Sequence, residues 1–200
     1  FDDECRLGIH YQALCDQDTV INLTNHSYFN LDGEDSESVE GQHLQIFADS
    51  FAENDAGCLP TGRIVSLDSE EGSPFDFREP TEIGKRLHEE NIHLKNGSGY
   101  DHNYLLKKQP DGLCARAYSR SSGILLECRT SEPGMQLYTG NFLSTSNIVG
   151  KGGKSYADRA GFCLETQHYP NAMEHPEFPS VVLPAGELYD TTTEYHISLL

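Results

Sequence analysis

Two segments of this chain carry residues suited to proton transfer, and they lie far apart in sequence. The first is Asn22-Leu-Thr-Asn-His-Ser-Tyr-Phe-Asn-Leu31, which opens as a strand and turns polar around one imidazole, His26. Asn25 and Ser27 flank the ring and can fix its tautomer, while Tyr28 and Phe29 can wall off water. Imidazole titrates near neutrality, so a positioned histidine is a candidate proton donor or acceptor. A histidine at the end of a strand is, before such context, more often structural. The second segment is Gly161-Phe-Cys-Leu-Glu-Thr-Gln167. Period-two alternation sends Phe162 and Leu164 to one side and Cys163, Glu165 and Gln167 to the other. A carboxylate among such neighbours is costly to bury unless paired, so Glu165 is either edge-exposed or functional. Acid–base chemistry needs groups of opposite role, and His26 and Glu165 are expected to face one ligand.

Two further polar positions stand out. Asp101 and His102 follow the Gly-rich Lys95-Asn-Gly-Ser-Gly99. From the residues alone, an Asx turn tethering a strand is the stronger reading, with acceptance of ligand hydroxyls the functional one. Gln136 alternates with Met135 and Leu137, and an amide pointing inward from a strand must find a partner, for which a ligand hydroxyl would serve. The nine histidines suggest no metal centre, since His168 and His175 are seven apart around Pro170 and no helix carries an H-x-x-x-H pair. Neither a Gly-x-Ser-x-Gly elbow nor a phosphate-binding Gly-Lys-Ser/Thr loop occurs.

The 200 residues are 36% hydrophobic with 27 Gly and Pro together, which suits a single globular domain, 1–200, rich in turns. Acidic residues outnumber basic ones 32 to 14, for a formal charge of −18. Such a surface repels nucleic acid and anionic membranes and leaves a small neutral ligand unaffected. No apolar run spans a bilayer and no signal peptide is read. Phe1 rather than Met opens the sequence, so a longer natural chain is expected. The six cysteines form no C-x-x-C pair, and Cys15, Cys114, Cys128 and Cys163 fall in expected strands as small hydrophobes. Glycosylation sequons start at Asn22, Asn25 and Asn96, and a glycan on either of the first two would crowd His26. Both features point to a reducing, cytoplasmic compartment.

The elements that must position these residues read as short strands. Leu7, Ile9, Tyr11, Ala13 and Cys15 alternate with mostly polar neighbours. Further strands are expected over 19–24, 43–48, 63–67, 113–119, 124–130, 134–139, 162–166, 180–183 and 194–199, and a loop over 95–99 leads to Tyr100-Asp-His-Asn-Tyr-Leu-Leu106. Residues 32–42 read as a loop, and 144–159, with Gly150, Gly152 and Gly153, as a mobile one. One helix is expected after Phe75-Asp-Phe-Arg78, with Pro80 in its first turn and Ile83 and Leu87 on one face. Many strands, one helix and no repeat predict an all-β antiparallel sandwich or barrel.

Taken in order, these motifs resemble the aldose 1-epimerase (galactose mutarotase) family. The likeness rests on Asn22 to Leu31, Tyr100-Asp-His-Asn-Tyr104, Gly134-Met-Gln-Leu-Tyr-Thr-Gly-Asn-Phe142 and Gly161 to Gln167, with Leu59-Pro-Thr-Gly62, Phe75 to Arg78 and Leu183-Pro-Ala-Gly-Glu-Leu-Tyr189. Each motif is weak and the ordered set is specific. The resemblance implies a β-supersandwich, interconversion of hexose anomers, Glu165 as general base, His26 as general acid, Asp101 and Gln136 on sugar hydroxyls, and no cofactor. Asn25 joins the expected sugar-contacting set. The family's upstream Leu-His-Gly-Gly histidine and substrate-binding arginine have no counterpart here, so the likeness is to the C-terminal two-thirds of the pattern. Three rival functions compete with this one. A glycoside hydrolase would use two carboxylates rather than Glu with His. A non-catalytic sugar-binding relative would bind without turnover, and a purely structural β-domain would bind no sugar. The expected partner is a neutral hexose, and the expected state a monomer or weak homodimer.

Overall fold

Period-two alternation is realised as two antiparallel sheets that pack their apolar faces together. The computed structural model describes residues 1–146 and 149–200. Among these lie β1 (Arg6–Leu14), β2 (Thr19–Val20), β3 (His43–Ile46), β4 (Ala48–Asn54), β5 (Pro60–Ser66), β6 (Thr81–Glu82) and β7 (Asp101–Leu106). They continue with β8 (Leu113–Tyr118), β9 (Ile124–Thr130), β10 (Gly134–Tyr138), β11 (Cys163–Gln167), β12 (Val182–Leu183) and β13 (Leu188–Leu199), with one short helix, α1 (Ile92–Gly97). The larger sheet has the order β1-β13-β9-β8-β3-β6 and the smaller β11-β10-β7-β4-β5, while β12 and β2 form a separate pair. No helix of the described residues is long and apolar enough to cross a membrane.

The inner faces share one core. Leu44, Ile46, Ala115, Ala117, Leu126, Cys128 and Tyr195 come from the larger sheet, and Phe51, Tyr104, Met135, Leu137 and Leu164 from the smaller. The Tyr195 hydroxyl donates to the Leu164 carbonyl at 2.7 Å, which satisfies a buried donor and joins the two layers. Beneath the smaller sheet, Phe75 stacks on Phe51 at 4.2 Å and meets the edge of His102 at 4.7 Å. This cluster is anchored by hydroxyls: Tyr100 donates to the Pro74 carbonyl and Tyr104 to the Phe75 carbonyl. The backbone of the smaller sheet is therefore pinned on its core side, and its other face is free to carry polar groups.

The structure departs from the sequence reading at several elements; β13, for one, begins at Leu188 rather than at 194. The strand expected over 19–24 ends at Val20; beyond it the backbone is held at separate points, Ile21 by Val181 and Phe29 by Phe162. The amides of Asn22 and Asn25 bond to nearby backbone instead of supporting a ladder. β4 is absent from the sequence reading, because register shifts at Ala48/Ser50 and Ala52/Asn54 break its alternation. The helix expected after Pro80 is only a 3-10 turn, Ile83–Lys85, although Ile83 and Leu87 are both buried. A Cβ at Gly84 would lie 2.7 Å from that of Glu40, so this stretch is pressed flat against its neighbour. The true helix starts where Asn91 caps it, accepting from the His93 and Leu94 amides, and ends at Ser98 in the left-handed region. Of the loop read over 144–159, Asn147 and Ile148 lie outside the described residues, and Val149 bridges Ser155.

Candidate active site

The outer face of the smaller sheet assembles the site by strand register. Gln136 stands opposite Glu165 across β10 and β11, and Tyr138 stands opposite Cys163 on one side and Asp101 on the other. Alternation puts all five side chains on one face. Met135, Leu137, Leu164 and His102 take the core face, so Gln136 points outward to the site and not inward as the sequence suggested. The Phe29–Phe162 bridge lays the preceding residues along the β11 edge and brings His26 over that strand.

The result is an open hollow of about 330 Å³ whose lining includes His26, Tyr28, Asp101, Gln136, Tyr138 and Glu165. His26 Nε2 lies 3.5 Å from Glu165 Oε1, and Nδ1 lies 3.4 Å from Cys163 Sγ. The ring is thus oriented by Cys163 and Glu165 rather than by Asn25 and Ser27. Asn25 does not line the hollow; its carbonyl oxygen accepts from the Ser27 amide and shapes the turn that carries His26. Tyr28 and Tyr138 pack around the imidazole at 5.0 and 6.0 Å between ring centres, whereas Phe29 turns away to the core against Tyr195. Gln136 Nε2 donates to Asp101 Oδ1 at 2.7 Å, leaving the Gln136 carbonyl oxygen buried without a partner among the described residues. A donor on a ligand would satisfy it. Sequence reasoning anticipated Tyr28 as a wall but missed Tyr138 and the Cys163 contact as site features; their only signal was the shared parity of Tyr138 with Gln136 and of Cys163 with Glu165.

The electrostatics separate the candidate groups. Burial pushes the Glu165 carboxyl up to about 7, with the nearby Asp101 adding to the rise and His26 opposing it. Burial also raises Asp101, partly offset by the Gln136 hydrogen bond. His102 is pushed down to about 3 by burial and stays neutral, so it is a packing residue under the sheet. A raised Glu165 binds its proton more tightly folded than unfolded. Its favourable contribution to stability is full below its ordinary value of 4.5 and is lost as pH rises to about 7. Glu165→Gln is therefore expected to stabilise the fold by about 2 kcal/mol above pH 7 and by much less near pH 5. Urea denaturation at the two pH values checks this; equal gains at both would disprove the burial argument.

The fold is thus an antiparallel sandwich that carries a carboxylate, an imidazole, an aspartate and an amide around one open hollow on the outer face of its smaller sheet. The comparisons name the family. The family model for aldose 1-epimerase matches residues 1–196, and the chain belongs to that family. It is 43% identical over 198 residues to galactose mutarotase from Bos taurus, covering 98% of this chain and 55% of that protein. To aldose 1-epimerase from Escherichia coli K12 it is 38% identical over 197 residues, covering 96% and 55%. The crystal structure of an aldose epimerase homologue from C. elegans superposes with a TM-score of 0.86 at 31% identity, over 99% of this chain and 57% of that one. These bear out the family resemblance and the all-β fold. The chain spans about half the length of the curated relatives it matches, less than the two-thirds read from the motifs.

Proposed function

We propose that this protein interconverts the α and β anomers of hexoses such as galactose and glucose. The observation that carries the reading is the convergence of His26 and Glu165 at 3.5 Å in a hollow that also holds Asp101 and Gln136. Glu165 removes the proton from the anomeric hydroxyl, and His26 gives a proton to the ring oxygen. The C1–O5 bond breaks to the open aldehyde, rotation about C1–C2 presents the other carbonyl face, and closure reverses both transfers. The hydroxyl and the ring oxygen are bonded to the same carbon, so neighbouring groups on one wall suit them better than groups on opposite sides. A carboxyl near 7 also matches a base to neutral pH, where proton transfer is most effective.

Asp101 accepts from vicinal sugar hydroxyls, and Gln136 orients it. Asp101→Ala is expected to weaken galactose binding by roughly 10- to 100-fold, the value of a hydrogen bond to a charged acceptor. Calorimetry checks this, and unchanged affinity would remove Asp101 from the binding set. We place the protein in a reducing compartment, the cytoplasm, since all six thiols are free. The amides of Asn22 and Asn96 are also committed to the His168 and Asn54 carbonyls, so neither is poised for a glycan. Polarimetry on freshly dissolved α-galactose tests the activity. Binding without faster mutarotation would favour a sugar-binding relative, and neither would leave a structural domain.

A further inference from the structure

Cys163 and Glu165 are two apart on β11 and project from the same face, and His26 leans over the gap between them. One ligand atom from each of the three lies within 4.8 Å of the others, and Cys163 and Glu165 are both buried. The ring stands 3.4 Å from the sulfur and 3.5 Å from the carboxylate oxygen. Zinc bonds to N, S and O set at tetrahedral angles hold neighbouring ligand atoms roughly 3.3–3.6 Å apart. The two contacts use different ring nitrogens. A single ion takes one of them, and the half-exposed imidazole can turn to present it.

We propose that His26, Cys163 and Glu165 form a three-ligand site for a thiolate-seeking divalent cation, with Zn²⁺ as the type, which reversibly blocks the proton-transfer pair. A nitrogen–sulfur–oxygen donor set selects such ions over Mg²⁺ and Ca²⁺, which require oxygen ligands. On binding, the Cys163 S–H bond breaks, its electron pair goes to the cation, and the proton leaves to solvent; the metal keeps its oxidation state. The fourth position faces the hollow and takes water. The binding site stands on its own geometry, and only the inhibition rests on the acid–base reading above.

The test uses the protein with Cys5, Cys15 and Cys58 replaced by Ser, since these are the thiols not fully buried. Co²⁺ is titrated as a spectroscopic stand-in. The expected result is a near-ultraviolet sulfur-to-cobalt charge-transfer band that Zn²⁺ competes away. It should be absent in Cys163→Ser and weaker in affinity by roughly tenfold or more in His26→Ala, whose exposed position spares the fold. Mutarotation should fall in Zn²⁺, recover with chelator and ignore Mg²⁺. No band, or a band unchanged in both variants, overturns the site. If the protein shows no mutarotation before metal is added, the proposed function fails, while the cobalt band still decides the metal site.

Discussion

Glu165→Gln and His26→Asn are each expected to slow mutarotation by roughly 100- to 10,000-fold while leaving galactose affinity within a few-fold. Gln keeps the shape of Glu and can still hydrogen-bond the anomeric hydroxyl, but it cannot take the proton. Asn leaves polar contact near the ring oxygen but cannot give up a proton. Because the two side chains act on one carbon from one wall, the double variant should cost little more than the worse single one. The wild-type kcat/KM should fall as pH drops below about 7, since burial holds the Glu165 proton to that value and only the carboxylate accepts. In Glu165→Gln that limb should vanish with the rate. Polarimetry across pH, with binding measured by calorimetry, reads all of these. Full turnover in either variant would withdraw its assigned role.

Phe75→Ala is expected to destabilise the fold by about 3–5 kcal/mol, a loss readable as a lowered urea midpoint. Phe75 is fully buried, stacked on Phe51 and edge-on to His102 and Tyr100. Its neighbours cannot collapse into the gap, because the Tyr104 hydroxyl ties the 3-10 turn Ser73–Phe75 to β7 and the Tyr100 hydroxyl ties it to the residue just before that strand. The cavity therefore opens against His102, the residue next to Asp101 on β7. Sugar affinity should fall in the protein that remains folded, though no residue of the hollow has changed. A stability change below about 1 kcal/mol would mean that the turn repacks and that the hydroxyl ties do not pin it.

The part of this protein legible in its residues is the part governed by local rules. The sequence marks β8 to β11 nearly to the residue, and with β11 the parity that puts Glu165 and Cys163 opposite Leu164. β4 escapes because two register shifts scramble its alternation, and the helix is misplaced because Pro80 and an Ile83/Leu87 pair outweigh the Asn91 cap. His26, Glu165, Asp101 and Gln136 stand out by residue type and by resemblance; their meeting in one hollow is a tertiary fact. The Cys163–His26 contact joins residues 137 positions apart, and no spacing rule reaches that far. Asn25 shows the opposite limit, since an amide next to the imidazole is indistinguishable in sequence from one that holds the turn.

The cross-strand pairing of Gln136 with Glu165 also says where this family's chains are free to vary in length. A single residue inserted or deleted between Phe162 and Leu164 would turn over every side chain of β11 beyond it, burying the carboxylate in the sandwich and lifting Leu164 into solvent, and one within β10 would do the same to Gln136 and its neighbours. Changes in the connection between them, 139–162, carry no such inversion so long as Phe162 still meets Phe29. Gaps among relatives should therefore cluster in that connection and be excluded from the two strands it joins.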